Sequence, residues 1–222
     1  MKAMVLAAGR GERMRPLTDG TPKPLLRAGG TMLIAHHLAA LSRSGIRDVV
    51  INLSWLGEKI RAALGAGEAW GLRITYSEEG PVPLETGGGI FRALPLLGRE
   101  PFLVINGDVF TDFAYETLHL EQEADARIVL VPNPPHHPEG DFGLDGEQVV
   151  LRERDRWTYS GIGIYRPEFF AAASGGRFPL LPLLTRAIAA GRLCGQVHRG
   201  VWLDIGSPAR LAELDARLRA VT

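Results

Sequence analysis

The sequence predicts an α/β fold: a mostly parallel sheet flanked by helices, with a β-rich insertion in its second half. Three observations carry this. Apolar, β-branched runs of strand length alternate with longer amphipathic runs between residues 3 and 133. Glycines stand just past the helical runs, at Gly45 and Gly65. From residue 140 to 165 the apolar residues then come in short groups broken by charge, the pattern of antiparallel hairpins.

The elements follow in order. "AMVLAA" predicts a buried first strand, "MLIAHHLAALSRSG" an amphipathic helix closed by Gly45, and "DVVINL" a second buried strand. "LGEKIRAALG" predicts a short helix and "LRITYS" a third strand. "GGGIFRALPLL" predicts a helix that starts after its glycines. "PFLVING" predicts a fourth strand, ending at Asp108, and "ARIVLVPN" a fifth. "GLDGEQVVLRERDRWTYSGIGIY" predicts the inserted hairpin strands. "PLLPLLTRAIAAG" predicts a helix and "GVWLDIG" a short strand. "SPARLAELDARLRA" predicts a closing helix with Ser207 as N-cap and Pro208 in the first turn. Parallel strands this apolar need helices on both faces, which makes the sheet Rossmann-like.

Bulk composition narrows the partners. Among 222 residues the 25 basic and 25 acidic side chains cancel, so no global basic field draws nucleic acid. Cys194 is the single cysteine, which excludes an intrachain disulfide and a cysteine-built metal site and fits a cytoplasmic protein. The opening "MKAMVLAAG" stops at Gly9, too short for a secretory signal, and no apolar run nears the roughly 18 residues of a membrane span. No nucleic-acid or membrane partner is expected, and no motif sets an oligomeric state.

Between the first strand and the first helix stands "LAAGRGERMRPLTDGTPKPL". Glycine lets backbone N–H groups come close to a phosphate. Gly9 and Gly11 alone read equally as a turn that ends a strand. A dinucleotide fingerprint fails at Met14, and the P-loop pattern is absent. The flanking charge favours a polyphosphate: Arg13 follows Gly11 closely, and Pro22 and Pro24 stiffen the backbone around Lys23. Asp108 ends an apolar strand, at the edge where open α/β sheets bind ligands, and Asp204 of "VWLDIGS" has a like setting. Each alone reads as a cap or turn aspartate; together they suit a cation brought by a triphosphate. Gly87, Gly88 and Gly89 read either as a hinge or as a close backbone approach to a ligand. Adjacent His136 and His137 read as rim or structural residues.

These residues carry a resemblance. The loop is similar to the opening motif of the sugar-1-phosphate nucleotidyltransferases, roughly L-A-A-G-x-G-[TE]-R-[LM]-x-P-L-T followed by P-K-P. "VINGD" resembles that family's [LN]-x-G-D and "WLDIGS" its W-x-D-[IV]-G-[ST], and the likeness spans nearly the whole chain. It implies a nucleotide-diphospho-sugar transferase type of fold in a single domain, with a nucleotide part over about residues 1–112 and a sugar part over about 113–222. It implies Mg2+-dependent transfer of a nucleotidyl group from a nucleoside triphosphate to a sugar 1-phosphate.

On this match Ala7, Ala8, Gly9, Gly11, Arg13, Lys23, Glu79, Gly87 and Asn106 hold the nucleotide. Lys23 and Arg13 act at the reacting phosphates, and Asp108 and Asp204 hold Mg2+. Glu85, Gly88, Asp141, Glu153 and Ser160 face the sugar. Glu12 stands where many members have threonine, Glu85 where glycine is common, and Ser160 where asparagine is common. Near Glu153 and Arg154 an E-K-P motif lacks its proline. A catalytically silent relative would lose part of the site, whereas Arg13, Lys23, Asp108 and Asp204 are all present.

Overall fold

The computed structural model describes residues 1–220. In chain order the strands are β1 (Ala3–Leu6), β2 (Arg27–Ala28), β3 (Thr31–Met32), β4 (Asp48–Leu53), β5 (Arg73–Glu78), β6 (Phe102–Asn106), β7 (Val109–Thr111), β8 (Ala126–Val131), β9 (Gly143–Asp145), β10 (Gln148–Val150), β11 (Thr158–Tyr165), β12 (Leu193–Val197) and β13 (Trp202–Asp204). The helices are α1 (Leu33–Arg43), α2 (Gly57–Leu64), α3 (Glu85–Leu97), α4 (Leu181–Ala189) and α5 (Pro208–Arg219).

Among the described residues, nine strands form one sheet in the order β5-β4-β1-β6-β11-β8-β12-β10-β9. Alternation along its strands sends Val5, Ile51, Leu103 and Ile105 to one face, where Ile34, Leu38 and Leu41 of α1 and Ile60 of α2 cover them. Met4, Val50 and Val104 point to the other face, under Ile90 and Ala93 of α3 and Leu184 of α4. Burial on both faces explains why these strands read as continuous apolar runs. α1 ends in a Schellman motif: Ile46 N–H donates to Leu41 O at 3.0 Å, Gly45 N–H donates to Ser42 O at 3.2 Å, and Gly45 holds φ +78°.

β1, β4, β5 and β6 are mutually parallel, so their carboxyl ends share one edge. The chain runs outward from β1 to β4 and β5, then returns to place β6 on the other side of β1. That reversal opens a crevice beyond β1 and β6.

Three expectations need correction. β11 is no inserted hairpin strand; it lies mid-sheet, antiparallel to both β6 and β8. Only β9 and β10 form the added hairpin, joined to the edge through β12. α3 begins at Glu85, before its glycines, because tertiary contacts override their poor propensity. α1 begins at Leu33, since Met32 pairs in the β2–β3 ribbon.

One buried base marks the α1 face. His37 is 2 % exposed and its Nδ1 lies 2.9 Å from the Tyr115 hydroxyl. Burial pulls its pKa down from 6.5 to about 4. The unfolded chain therefore takes a proton near pH 6.5 that the folded chain refuses until about pH 4. The contribution of His37 to stability is present above pH 6.5, and about 3 kcal/mol of it is lost as pH drops through that window. Urea midpoints between pH 7 and 4 are expected to fall less steeply in His37→Phe than in the wild type.

Candidate active site

Beyond β1 the chain leaves the sheet through Ala7 and Ala8, both buried. No atom lies within 4 Å of where a Cβ on Gly9 would stand, so this face is open to the crevice. Gly11 holds φ +64°, and a Cβ there would meet Thr18 Cγ2 at 3.0 Å; glycine alone suits both demands. Thr18 Oγ1 donates to the Gly11 carbonyl at 2.8 Å and closes the loop. Buried Met14 anchors the short turn that carries Arg13. Arg13 and Arg10 line the crevice, and the Arg10 guanidinium lies 5.4 Å from the centre of the Trp55 ring.

Lys23 opens a turn of 3-10 helix framed by Pro22 and Pro24. It is 8 % exposed, and its ammonium donates to Asp108 Oδ2 at 2.6 Å. The stiff backbone thus aims a nearly buried cation at the carboxylate.

The two aspartates meet through strand pairing. Asp204, the last residue of β13, stands opposite Val109 of β7, and Ile205 N–H donates to the Asp108 carbonyl at 2.7 Å. Asp204 Oδ1 accepts from Arg210 of α5 and lies 2.9 Å from His136 Nε2. Among the described residues no cluster of three or more His, Cys, Asp or Glu forms a ready metal cage. Mg2+ takes one or two carboxylates from protein and completes its shell with phosphate oxygens and water, and Asp108 and Asp204 are the carboxylate residues that the β7–β13 pairing sets at adjoining backbone positions.

A buried polar chain that sequence reasoning missed braces the crevice. Ala7 N–H donates to Asn52 Oδ1 at 2.7 Å, and Asn52 Nδ2 donates to Glu79 Oε1 at 2.6 Å. Glu79 Oε2 accepts from Leu84 N–H at 2.7 Å. Asn52 thereby ties the glycine loop to the start of α3. Its position in the apolar run "DVVINL" was the one available signal, a polar residue at the end of a buried strand. Asn52→Leu would strand the Ala7 donor and one Glu79 oxygen, so a loss of about 2–4 kcal/mol in denaturant unfolding is expected.

The structure brings together Ala7, Ala8, Gly9, Gly11, Arg13, Lys23, Glu79, Glu85, Asn106 and Asp108 as crevice lining, with Asp204 alongside. Five other residues lie apart from that lining. A Cβ on Gly87 would meet the Phe178 ring at 2.5 Å, and one on Gly88 would overlap the Gly176 carbonyl; both are packing glycines. Ser160 is 1 % exposed, and its Oγ accepts from Ile162 N–H at 3.2 Å inside the bulge of β11. Asp141 is held by Tyr159 N–H at 2.8 Å and by His137 Nε2 at 3.0 Å. Glu153 is exposed in the segment after β10.

Residues 2–149 match the family described as "Nucleotidyl transferase". A protein of Neisseria meningitidis named N-acetylmuramate alpha-1-phosphate uridylyltransferase is 51 % identical, over 97 % of this chain and 97 % of its own. Its namesake in Caulobacter vibrioides is 38 % identical over 97 % and 96 %. The solved inositol-1-phosphate CTP transferase of T. maritima superposes with a TM-score of 0.79 at 21 % identity, covering 98 % of this chain and 96 % of that one, a likeness of fold. No helix among the described residues is long and apolar enough to cross a membrane.

Proposed function

This chain belongs to the nucleotidyl transferase family, and on that premise we propose that it transfers the uridylyl group of UTP to N-acetylmuramic acid 1-phosphate. Pyrophosphate leaves, and the product feeds cytoplasmic recycling of cell-wall sugars. The observation that carries this reading is the full-length likeness to the two uridylyltransferases. The contact between Lys23 and Asp108 at the mouth of the glycine loop supports the chemistry.

The reaction brings two anions together. An oxygen of the sugar phosphate attacks the α-phosphorus in line, and the bond to the β-phosphate breaks. A phosphate monoester is nucleophilic near neutral pH, so the site needs no general base. Positioning and charge neutralisation dominate instead. Asp108 and Asp204 would hold Mg2+, which when bound supplies Lewis-acid polarisation of the α-phosphate. Lys23 offsets the charge that grows on the oxygens in transfer. Arg13 holds the leaving pyrophosphate. Gly9 and Gly11 present backbone N–H groups to the phosphates. The Asn52–Glu79 chain keeps the loop at a fixed distance from the wall that receives the nucleoside.

Pyrophosphate release tests the substrates. UTP, GTP, CTP and dTTP are each paired with N-acetylmuramic, N-acetylglucosamine, mannose and heptose 1-phosphates. UTP with N-acetylmuramic acid 1-phosphate is expected to turn over best. Best turnover with GTP and a mannose or heptose phosphate would make the chain a guanylyltransferase instead. No release with any pair under Mg2+ would leave a silent binding protein.

A further inference from the structure

One cation enters the phosphate crevice from the second half of the chain. Arg177 lies on the segment before α4, and its Nε stands 2.9 Å from Glu85 Oε1. Both line the crevice beside Arg13, Lys23 and Asp108.

The segment is seated on the first turn of α3. Phe178 N–H donates to the Leu84 carbonyl at 3.1 Å, and the Phe178 carbonyl accepts from Gly88 N–H at 3.0 Å. The Phe178 ring lies over Gly87 and meets Phe91 edge-on, centroids 6.3 Å apart. Gly88 lies against the Gly176 carbonyl. Larger residues at these positions would push the segment, and Arg177 with it, out of the crevice.

Glu85, like Asp108, sets a negative charge in that crevice. A carboxylate opposes a phosphate, and this one sits on a backbone of φ +62°, which non-glycine residues seldom adopt. Arg177 neutralises it. With side-chain exposures of 63 % and 38 %, the pair is a screened surface bridge. A guanidinium binds a phosphate or carboxylate in a fork of two hydrogen bonds, which is stronger.

We propose that Arg177 is a substrate-binding residue that leaves Glu85 to grip an oxyanion of an incoming substrate, and that the glycines of α3 seat the segment that delivers it. This rests on the reaction proposed above. The oxyanion belongs either to the nucleotide's pyrophosphoryl end or to the sugar substrate, as its phosphate or its lactyl carboxylate.

Calorimetric titration with two probes, inorganic pyrophosphate with Mg2+ and N-acetylmuramic acid 1-phosphate, tests this on the wild type, Arg177→Ala and Glu85→Gln. Arg177→Ala is expected to weaken one probe by about tenfold or more. Arg177→Lys, which keeps the charge without the fork, is expected to recover part of that loss. Glu85→Gln, which frees Arg177, is expected to tighten the same probe. Loss for pyrophosphate assigns the nucleotide end. Loss for the sugar phosphate alone assigns the sugar, and N-acetylglucosamine 1-phosphate, which lacks the carboxylate, then separates its two anions. The proposal is overturned by unchanged affinity for both probes in Arg177→Ala, by weakening in Glu85→Gln, or by a wild type that binds neither. A wild type that binds the probes but transfers no uridylyl group removes the proposed reaction and leaves Arg177 in its role.

Discussion

Lys23→Ala is expected to lower kcat by about 100- to 1000-fold, the range seen when one aimed donor to transition-state charge is removed. The protein should stay folded. The ammonium contacts Asp108, whose side chain is 41 % exposed, so water can solvate the carboxylate left behind. KM for UTP should change much less than kcat, because Lys23 is assigned to charge that grows only in the transition state. Steady-state pyrophosphate release on a variant with wild-type circular dichroism makes the comparison. Turnover within a few-fold of wild type would remove Lys23 from the chemistry. Lys23→Arg should not restore the rate, since a wide planar fork replaces the compact point charge of the ammonium that contacts Asp108.

Asp108→Asn keeps the shape and removes the charge. Loss of several kcal/mol of metal-borne stabilisation corresponds to a fall in kcat/KM of about 1000-fold. Activity should return in part only at raised Mg2+ concentration. A variant whose Mg2+ dependence matches that of the wild type would sink the metal assignment. The amide oxygen of the substituted side chain still offers Lys23 a neutral acceptor, so the fold is again expected to persist.

Much of the fold was legible because its strands are buried on both faces and so read as unbroken apolar runs. β1, β4, β6 and β8 stand where "AMVL", "DVVINL", "FLVIN" and "ARIVLV" placed them. The site loop was legible for a different reason: glycine, proline and charge have few structural uses in combination, and Lys23 and Asp108 do meet. What escaped were choices made between distant segments. "TYSGIGIY" is buried almost throughout, yet its glycines and bulge hid a central strand. The strand "LCGQV" passed unread because a glycine and a glutamine interrupt a short run. Gly87, Gly88 and Gly89 pointed to close approach, but the partners are Phe178, the Gly176 carbonyl and Glu79, which only the folded chain brings near. Asn52 looked like one polar letter in a strand; its two partners lie on separate loops.

The pairing of β13 with β7 has a consequence for birth on the ribosome. Synthesis proceeds from the N-terminus, and domains begin to fold as they emerge. Lys23 and Asp108 are both out early, and the parallel strands β5, β4, β1 and β6 can already assemble. β11, which closes the flank of β6, comes much later, so the nascent sheet carries a bare edge in the interval. Asp204 arrives later still. On the assignment proposed above, the growing chain therefore has its glycine loop before it has both carboxylates, and catalytic competence would be among the last properties that translation confers.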